Sequence, residues 1–239
     1  MAGPPSPIPL ADIAKIGPYF ELTSDRTPEG TGWLAARTLI DDEACLSRLI
    51  DDVAARLRTR RRWIAASVFY QGWAARLTSI YAASAALCGA VPELSSSIVS
   101  FRPRQAGPVA LNIEPLRSVS PAAGWRLLRE DHLGPLETAV RDQVRIGEYV
   151  LRGNLASALA GALTMVSAQC DQPLGSLLRR DWAQPSDLSV SGRWLRTPDG
   201  IRYARATCCG FDQLADGSRC GDCSLNWPGG RTSRRGPDP

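Results

Sequence analysis

A cluster of cysteines near the C-terminus constrains this chain more than any other feature of its sequence. Four of the seven cysteines, Cys208, Cys209, Cys220 and Cys223, fall within sixteen residues, as an adjacent pair followed by a C-x-x-C. Cysteines are among the least exposed residue types and usually occur singly in protein cores. Thiols gathered this closely indicate disulfides, a redox dithiol or the ligands of a soft metal centre.

Composition and apolar patterning predict a cytoplasmic globular protein. The 239 residues are 44% hydrophobic and 22% charged, and the formal net charge of +4 is too small to indicate a nucleic-acid partner. Residues 1–10 lack the basic and apolar parts of a signal peptide. The most apolar runs, residues 81–91 and 155–168, are shorter than the ~18 residues of a membrane span, so we expect no transmembrane segment.

A cytoplasmic location affects how the cysteines are interpreted, because thiols stay reduced there and disulfides are rare. We therefore expect a metal-binding or catalytic role for the cluster. A peripheral position at the inner face of the cell membrane is compatible with the same prediction.

Hydrophobic periodicity predicts a helix-dominated α+β fold with a small, mostly antiparallel sheet and a C-terminal cysteine-bearing cap. Helices are predicted over residues 41–60, 63–87, 133–166 (with a break near Gly153 and Asn154) and 174–180. Strands are predicted over residues 97–101 and 109–113, and a hairpin over residues 193–204.

The expected domain organisation follows the same pattern. We expect a flexible lead over residues 1–10, a helical α+β body over 11–203, a cysteine segment over 204–225, and a disordered tail over 226–239. The hairpin delivers the chain directly to Cys208.

The cysteine spacing is open to three chemical interpretations. Structural zinc usually takes two C-x₂₋₄-C pairs or Cys/His mixtures, and a vicinal pair reaches one small ion only with backbone strain. A [2Fe–2S] cluster spreads four thiolates over two irons, which accommodates uneven spacing more easily. A thioredoxin-like dithiol needs only Cys220 and Cys223 and leaves the vicinal pair unexplained.

The spacing CC-x₁₀-C-x₂-C resembles the signature of the FhuF-type ferric-siderophore reductases. Three further segments are similar to that family: Tyr203 to Cys209, Gly153 to Ala158, and residues 67–76. The resemblance extends over the chain from about Pro18, although its specificity rests on the cysteines. Ser224 departs from the family pattern, in which proline often follows the last cysteine.

The resemblance implies a function and a ligand set. It implies that Cys208, Cys209, Cys220 and Cys223 each ligate a [2Fe–2S] cluster. It also implies one-electron reduction of Fe(III) in hydroxamate-type siderophores, releasing Fe(II) in the cytoplasm. The sequence has no dinucleotide-binding fingerprint or P-loop, and His132 is its one histidine, so a ferredoxin-like protein is the expected electron donor. The alternatives are a non-catalytic iron–sulfur electron carrier or sensor, and a structural zinc-binding module.

Other residues are weaker candidates, and each also has a purely structural interpretation. The arginines of residues 58–62 fit either an acidic electron donor or a solvated helix end: Arg58, Arg60, Arg61 and Arg62. An aromatic set fits either a siderophore pocket or the core: Trp63, Phe69, Tyr70 and Trp73. Three glycines fit either N–H donors to sulfur or tight turns: Gly210, Gly217 and Gly221. The remaining cysteines are expected to be small buried hydrophobes: Cys45, Cys88 and Cys170.

Overall fold

Helices dominate the computed structural model, which describes residues 8–25 and 32–227. Helix accounts for 53% of the structure, and the β-sheets are small and antiparallel, so the predicted helix-dominated α+β class is confirmed. The α-helices are α1 (Leu10–Ala14), α2 (Thr38–Asp41), α3 (Glu43–Arg56), α4 (Arg62–Cys88), α5 (Pro121–Leu127), α6 (Gly134–Gln143), α7 (Glu148–Gln169) and α8 (Leu174–Leu177). A π-helical turn, Leu128–Leu133, joins α5 to α6.

The centre of the molecule is a pair of long helices, α4 and α7, packed against each other. Both helices are apolar around most of their circumference, which is the pattern of a helix enclosed by other elements. Small residues are frequent on both, and helices that carry small residues can approach closely. Helix α4 ends at Gly89, whose backbone is left-handed (φ 70°), as expected for a glycine that terminates a helix.

The strands form three small sheets in the described part of the chain, where one sheet was expected. They are β1 (Leu34–Ala35), β2 (Val91–Pro92), β3 (Val99–Arg102), β4 (Ala110–Ile113), β5 (Ser118–Val119), β6 (Gly192–Thr197) and β7 (Gly200–Arg205). The sheets have the orders β1-β3-β4, β2-β5 and β6-β7, and every strand pair is antiparallel. The predicted strands of residues 97–101 and 109–113 correspond to β3 and β4.

The predicted hairpin is present as β6 and β7, joined by a turn in which Thr197 pairs with Gly200. Pro198 and Asp199 occupy the two central positions, where both residue types favour turns. The ring centroids of Trp194 and Tyr203 lie 5.1 Å apart across the two strands. The hairpin packs on α7, so β7 enters the cysteine segment from the surface of the central helix pair.

The predicted break near Gly153 and Asn154 is wrong, because α7 runs without interruption from Glu148 to Gln169. The break in the predicted helical region comes earlier, where Val144 leaves α6 in an extended conformation. Glycine and asparagine have low helix propensity, but burial of both residues against neighbouring elements overrides it here.

Arg76 ties α4 to the N-terminal part of the body. Its side chain is buried and donates to three backbone carbonyls: Val109 (3.0 Å), Pro18 (3.0 Å) and Glu21 (2.5 Å). Burial lowers the pKa of the Arg76 guanidinium to about 10. These bonds hold the 3₁₀ turn Pro18–Phe20 against the helix.

The predicted flexible lead and disordered tail can be compared with the structure only in part. Ile8, inside the predicted flexible lead, is buried against the core, and α1 begins at Leu10. Residues 1–7 of that lead and 228–239 of the predicted tail lie outside the described residues.

One helix in the described ranges, α7, has the length and mean hydropathy of a membrane span, and 72% of its most apolar window is buried inside the protein. A core helix meets the same criteria, so this property is only weak evidence for a membrane span.

Candidate metal centre

The cysteine segment docks on α7 through Thr207, the residue immediately before the vicinal cysteines. Thr207 Oγ1 donates to the carbonyl of Tyr149 at 3.2 Å. A Cβ at Gly153 would lie 2.1 Å from the same Oγ1, so only glycine permits this approach. The low-propensity position inside α7 is therefore a contact surface for the cysteine segment.

The four predicted ligand residues are brought together. Cys208, Cys209 and Cys223 are buried, and Cys220 is partly exposed. The backbone N–H of Cys223 donates to the Cys220 carbonyl at 3.0 Å, which closes the C-x-x-C turn. All seven cysteines are free, so the segment holds no disulfide.

The four cysteines interact with one another across the segment. Cys220 interacts with Cys209, and Cys223 interacts with both Cys208 and Cys220. Among residues 8–25 and 32–227, no three His, Cys, Asp or Glu side chains form a ready site for a single metal ion.

Burial and hydrogen bonding affect the two C-x-x-C thiols. The hydrogen bond to Cys209, followed by burial, raises the pKa of Cys220. Burial raises the pKa of Cys223. Both thiols are therefore protonated at neutral pH, and binding a metal would release their protons.

Backbone and side-chain groups face the sulfurs from several directions. The N–H of Gly210 donates to Cys208 Sγ at 3.3 Å, and Arg205 Nη2 donates to Cys220 Sγ at 3.3 Å. The Cys208 thiol donates to Asp212 Oδ1 at 3.0 Å. Sulfur accepts in the first two contacts, whereas the Cys208 sulfur is the donor in the third.

Arg205 connects the cysteines to both central helices. Its side chain is fully buried, and Nη1 donates to Asn154 Oδ1 at 2.7 Å. Asn154 in turn donates to the carbonyl and the hydroxyl of Ser67, each at 2.9 Å. A hydrogen-bonded chain therefore runs from α4 through α7 to the sulfur of Cys220.

The charge of Arg205 is kept by its surroundings. Burial alone would lower the pKa of this guanidinium, but Asp222 and the cysteine sulfurs raise it above its usual range. Arg205 Nε lies 3.6 Å from Asp222 Oδ2, an ion-pair distance that is too long for a hydrogen bond. The cysteine segment therefore contains a permanent buried cation.

Gly210 serves both roles that were considered for the glycines of this segment. It donates to sulfur, and its backbone is left-handed (φ 85°). A Cβ there would lie 2.4 Å from the ring of Trp63. Gly217 has the turn role, since its N–H donates to the Leu214 carbonyl at 3.0 Å. A Cβ at Gly221 would meet open space.

The aromatic candidates separate into one residue at the cysteine segment and three in or against the core. Trp63 packs on Gly210. Tyr70 is buried and bonds to Glu137, Trp73 is buried and donates to His132 Nε2 at 3.1 Å, and Phe69 packs on the core while partly exposed.

His132 is a fully buried core residue with both ring nitrogens occupied. Because Trp73 donates to Nε2, the proton is on Nδ1, which lies 2.9 Å from the Leu94 carbonyl. Burial lowers the pKa of His132 to about 4, so the ring is neutral at physiological pH. Its environment is that of a structural histidine.

The arginine run lies beside the cysteine segment. Arg61 Nη1 donates to Gln213 Oε1 at 2.9 Å, while Arg58 and Arg60 are exposed. Arg62 has a different role, because it pairs with Asp51 at 2.9 Å and bonds to Ser47 at 2.6 Å.

The three remaining cysteines have separate, structural surroundings. Cys45 is buried near the start of α3, and Cys88 donates to the carbonyl of Ser84 at 3.1 Å. Cys170 is partly buried, and this burial raises its pKa.

The sequence prediction did not give Asn154, Arg205, Asp212 or Asp222 a role at the site. The sequence could have indicated a role for Asn154 and Arg205. Each is a polar residue in an otherwise apolar or alternating stretch, and a polar residue that is buried in such a stretch needs a hydrogen-bond partner. Asp212 and Asp222 lie in irregular segments, where spacing does not predict side-chain contacts.

Comparison with known proteins does not assign the chain to a family. No protein-family model matches it. No curated protein is similar to it at a significant level.

Proposed function

We propose that Cys208, Cys209, Cys220 and Cys223 hold a [2Fe–2S] cluster and that the protein is a cytoplasmic ferric-siderophore reductase. The observation that carries the proposal is that the four cysteines lie together in the fold, with three of them buried. A [2Fe–2S] cluster takes two thiolates on each iron, whereas zinc takes four around one centre.

The residues around the sulfurs fit such a group. Three of the four thiols are buried, and both a backbone N–H and a guanidinium donate to sulfur. Hydrogen bonds to cluster sulfurs and burial are the means by which proteins adjust the reduction potential of an iron–sulfur centre. When bound, the cluster would supply a one-electron carrier.

The segments that resemble the FhuF-type family converge on the same place. Asn154 of the Gly-Asn segment, Arg205 of the approach to the cysteines and Ser67 on α4 form one hydrogen-bonded chain. Gly153 makes room for Thr207. The three segments were selected by their similarity alone, so their meeting at the cysteines supports the resemblance.

The chemistry of the proposed substrate needs little from the protein beyond one electron. Fe(III) is hard and binds hydroxamate oxygens strongly, while Fe(II) binds them far less well. Adding one electron to the ferric chelate therefore releases the metal. No acid, base or nucleophile is required.

The electron donor is proposed to be an acidic, ferredoxin-like protein. Arg58, Arg60 and Arg61 form a basic surface that adjoins the cysteine segment through Gln213. Opposite charges on two partners accelerate their encounter and help to orient it.

Spectroscopy of the purified protein tests the proposal. Anaerobically isolated protein should absorb in the visible range, and the dithionite-reduced form should give the electron paramagnetic resonance signal of a [2Fe–2S] cluster. A colourless protein that carries zinc would refute the proposal. Cys→Ser at each of the four positions should remove or destabilise the cluster, whereas Cys88→Ser should retain it.

A single-turnover experiment separates a reductase from an electron carrier. Reduced protein mixed with a ferric trishydroxamate should lose its reduced-state spectrum while Fe(II) is trapped by a chromogenic chelator. A cluster that stays reduced, with no Fe(II) formed, would leave the carrier as the better description.

A further inference from the structure

A cavity of about 770 Å³ reaches the cysteine segment from the side of the hairpin. Its walls come from α4, α7, β7 and the turn Pro18–Phe20. Pockets for small organic ligands usually measure about 300–1,000 Å³, so the volume suits a compact metal chelate.

The cavity ends at the C-x-x-C. Gly221 and Asp222, the two residues between Cys220 and Cys223, form part of its lining. Space is open around the missing Cβ of Gly221. A molecule in the cavity would therefore touch the backbone between two of the proposed ligands, which keeps the path for an electron short.

Small residues on the two central helices make the room. Ala75 of α4 and Ala158, Gly161 and Ala162 of α7 line one side. A Cβ at Gly161 would meet no atom within 4 Å, so larger side chains at this position would extend into the cavity. Tyr19 and Met165 are among the few large hydrophobic residues that remain exposed, and both line the cavity. Its surface is mostly apolar, as in other small-ligand sites.

The charged side chains near the cavity balance one another. Asp199 and Asp222 line it together with Arg202, which lies 3.8 Å from Asp199. Arg205, behind Asp222, balances the second carboxylate.

We propose that the α4–α7 cavity, lined by Ala75, Gly161, Tyr203 and Asp222, binds the ferric chelate. This inference rests on the proposed function and deepens it by giving the substrate a location.

Binding is tested with gallium chelates, because Ga(III) has the charge and nearly the size of Fe(III) but is not reduced. The gallium complex of desferrioxamine B should bind the cluster-loaded protein in calorimetry. No detectable binding would overturn the proposed site.

Gly161→Leu tests the location. The leucine side chain should occupy the cavity and weaken binding of gallium desferrioxamine B at least about tenfold. Gly72→Leu is the matched control: Gly72 lies on α4, its Cβ also meets no atom within 4 Å, and it does not line the cavity. Unchanged affinity in Gly161→Leu, or an equal loss in Gly72→Leu, would overturn the proposed location.

Reoxidation kinetics distinguish this proposal from the proposed function. If ferric desferrioxamine B reoxidises wild type and Gly161→Leu equally fast, the reductase function stands and the cavity assignment fails. If gallium binding depends on Gly161 but the ferric complex accepts no electron, the cavity assignment stands and the reductase function fails.

Discussion

Arg205 shows how a single buried side chain can determine the properties of the whole site. A buried guanidinium is costly unless it is paired and hydrogen-bonded. Here Asn154, Asp222 and Cys220 provide these interactions. Its hydrogen bond to Cys220 also places positive charge where a cluster would gain an electron.

If the proposed cluster is bound, replacing Arg205 should therefore lower its reduction potential. Loss of a charge-assisted hydrogen bond to sulfur destabilises the reduced, more negative state, and Arg205→Gln is expected to shift the potential down by roughly 50–100 mV. Arg205→Lys should recover part of the shift because it keeps the charge. The measurement is a dye-mediated redox titration followed in the visible range.

Arg196→Gln is the matched control for this prediction, since Arg196 lies exposed on the neighbouring strand. A potential that falls equally in both variants would indicate an effect of net charge. A potential unchanged in Arg205→Gln would show that the bond does not act on the cluster.

His132 gives a prediction on stability. Burial holds the pKa of His132 at about 4, against 6.5 for the ordinary side chain, so the unfolded chain takes up a proton at a higher pH than the fold does. Stability contributed by the neutral ring is present above pH 6.5 and is lost as the pH falls towards 4. Between pH 7 and pH 5 the loss should be about 2 kcal/mol.

Denaturant unfolding at several pH values measures this effect. His132→Gln keeps an acceptor for Trp73 but has no proton to gain, so its stability should vary less over the same range. Subtracting the free energy of unfolding of His132→Gln from that of the wild type removes the pH effects that the two proteins share. If the two free energies varied with pH in parallel, His132 would not be the group responsible.

At the scale of the secondary-structure element, α7 is both the main core helix and the support for the cysteine segment. Its Gly153 side receives Thr207, and its Gly161 side forms the cavity. Two glycines on one helix thus make room for two different neighbours.

Gly153→Ala and Gly161→Ala should therefore have opposite effects. Each substitution raises helix propensity by about 1 kcal/mol. The new Cβ at position 153 would clash with Thr207, and we expect the clash to cost about 1–3 kcal/mol and to speed loss of the cluster's absorbance. Gly161→Ala should leave stability equal or increased. Thermal unfolding and the rate of bleaching measure both effects.

The same two variants could also contradict this prediction. Equal stability and equal bleaching rates would mean that Thr207 can move away at no cost. The cysteine segment would then not be held in place by α7.

Local pattern was sufficient to predict some elements and not others. Periodicity and end signals predicted α3, α4 and the β6–β7 hairpin, because helix ends and turns depend on a few adjacent residues such as Gly89 and Asp199. The break at Gly153 was mispredicted, because low propensity marks a helix break and a close helix contact equally well. The four cysteines could be named from spacing, but the chain Ser67–Asn154–Arg205 depends on tertiary packing.

At the scale of the whole molecule, the arginine run and the cavity adjoin different parts of the cysteine segment. Arg61 precedes α4 and bonds to Gln213, whereas the cavity begins at Gln71 and reaches Asp222. The ten residues of helix that separate Arg61 from Gln71 span about 15 Å, so the two sites lie apart. Separate sites for the electron donor and the substrate would let both bind at once.

In the proposed reaction, the basic surface formed by Arg58, Arg60 and Arg61 should affect electron transfer from the donor and not binding of the substrate. Arg58→Gln combined with Arg60→Gln should slow reduction by an acidic plant-type ferredoxin about tenfold at low ionic strength, because steering depends on charge. Added salt should slow the wild-type reaction and narrow this difference. Stopped-flow absorbance of the cluster measures the rate.

Two controls separate docking from damage to the site. Reduction by dithionite should be equally fast in wild type and in the double variant, since a small reductant needs no docking surface. Arg179→Gln combined with Arg180→Gln removes the same charge from another exposed part of the chain and should leave the ferredoxin rate nearly unchanged. If both double variants slow equally, net charge rather than the surface beside Gln213 governs the encounter.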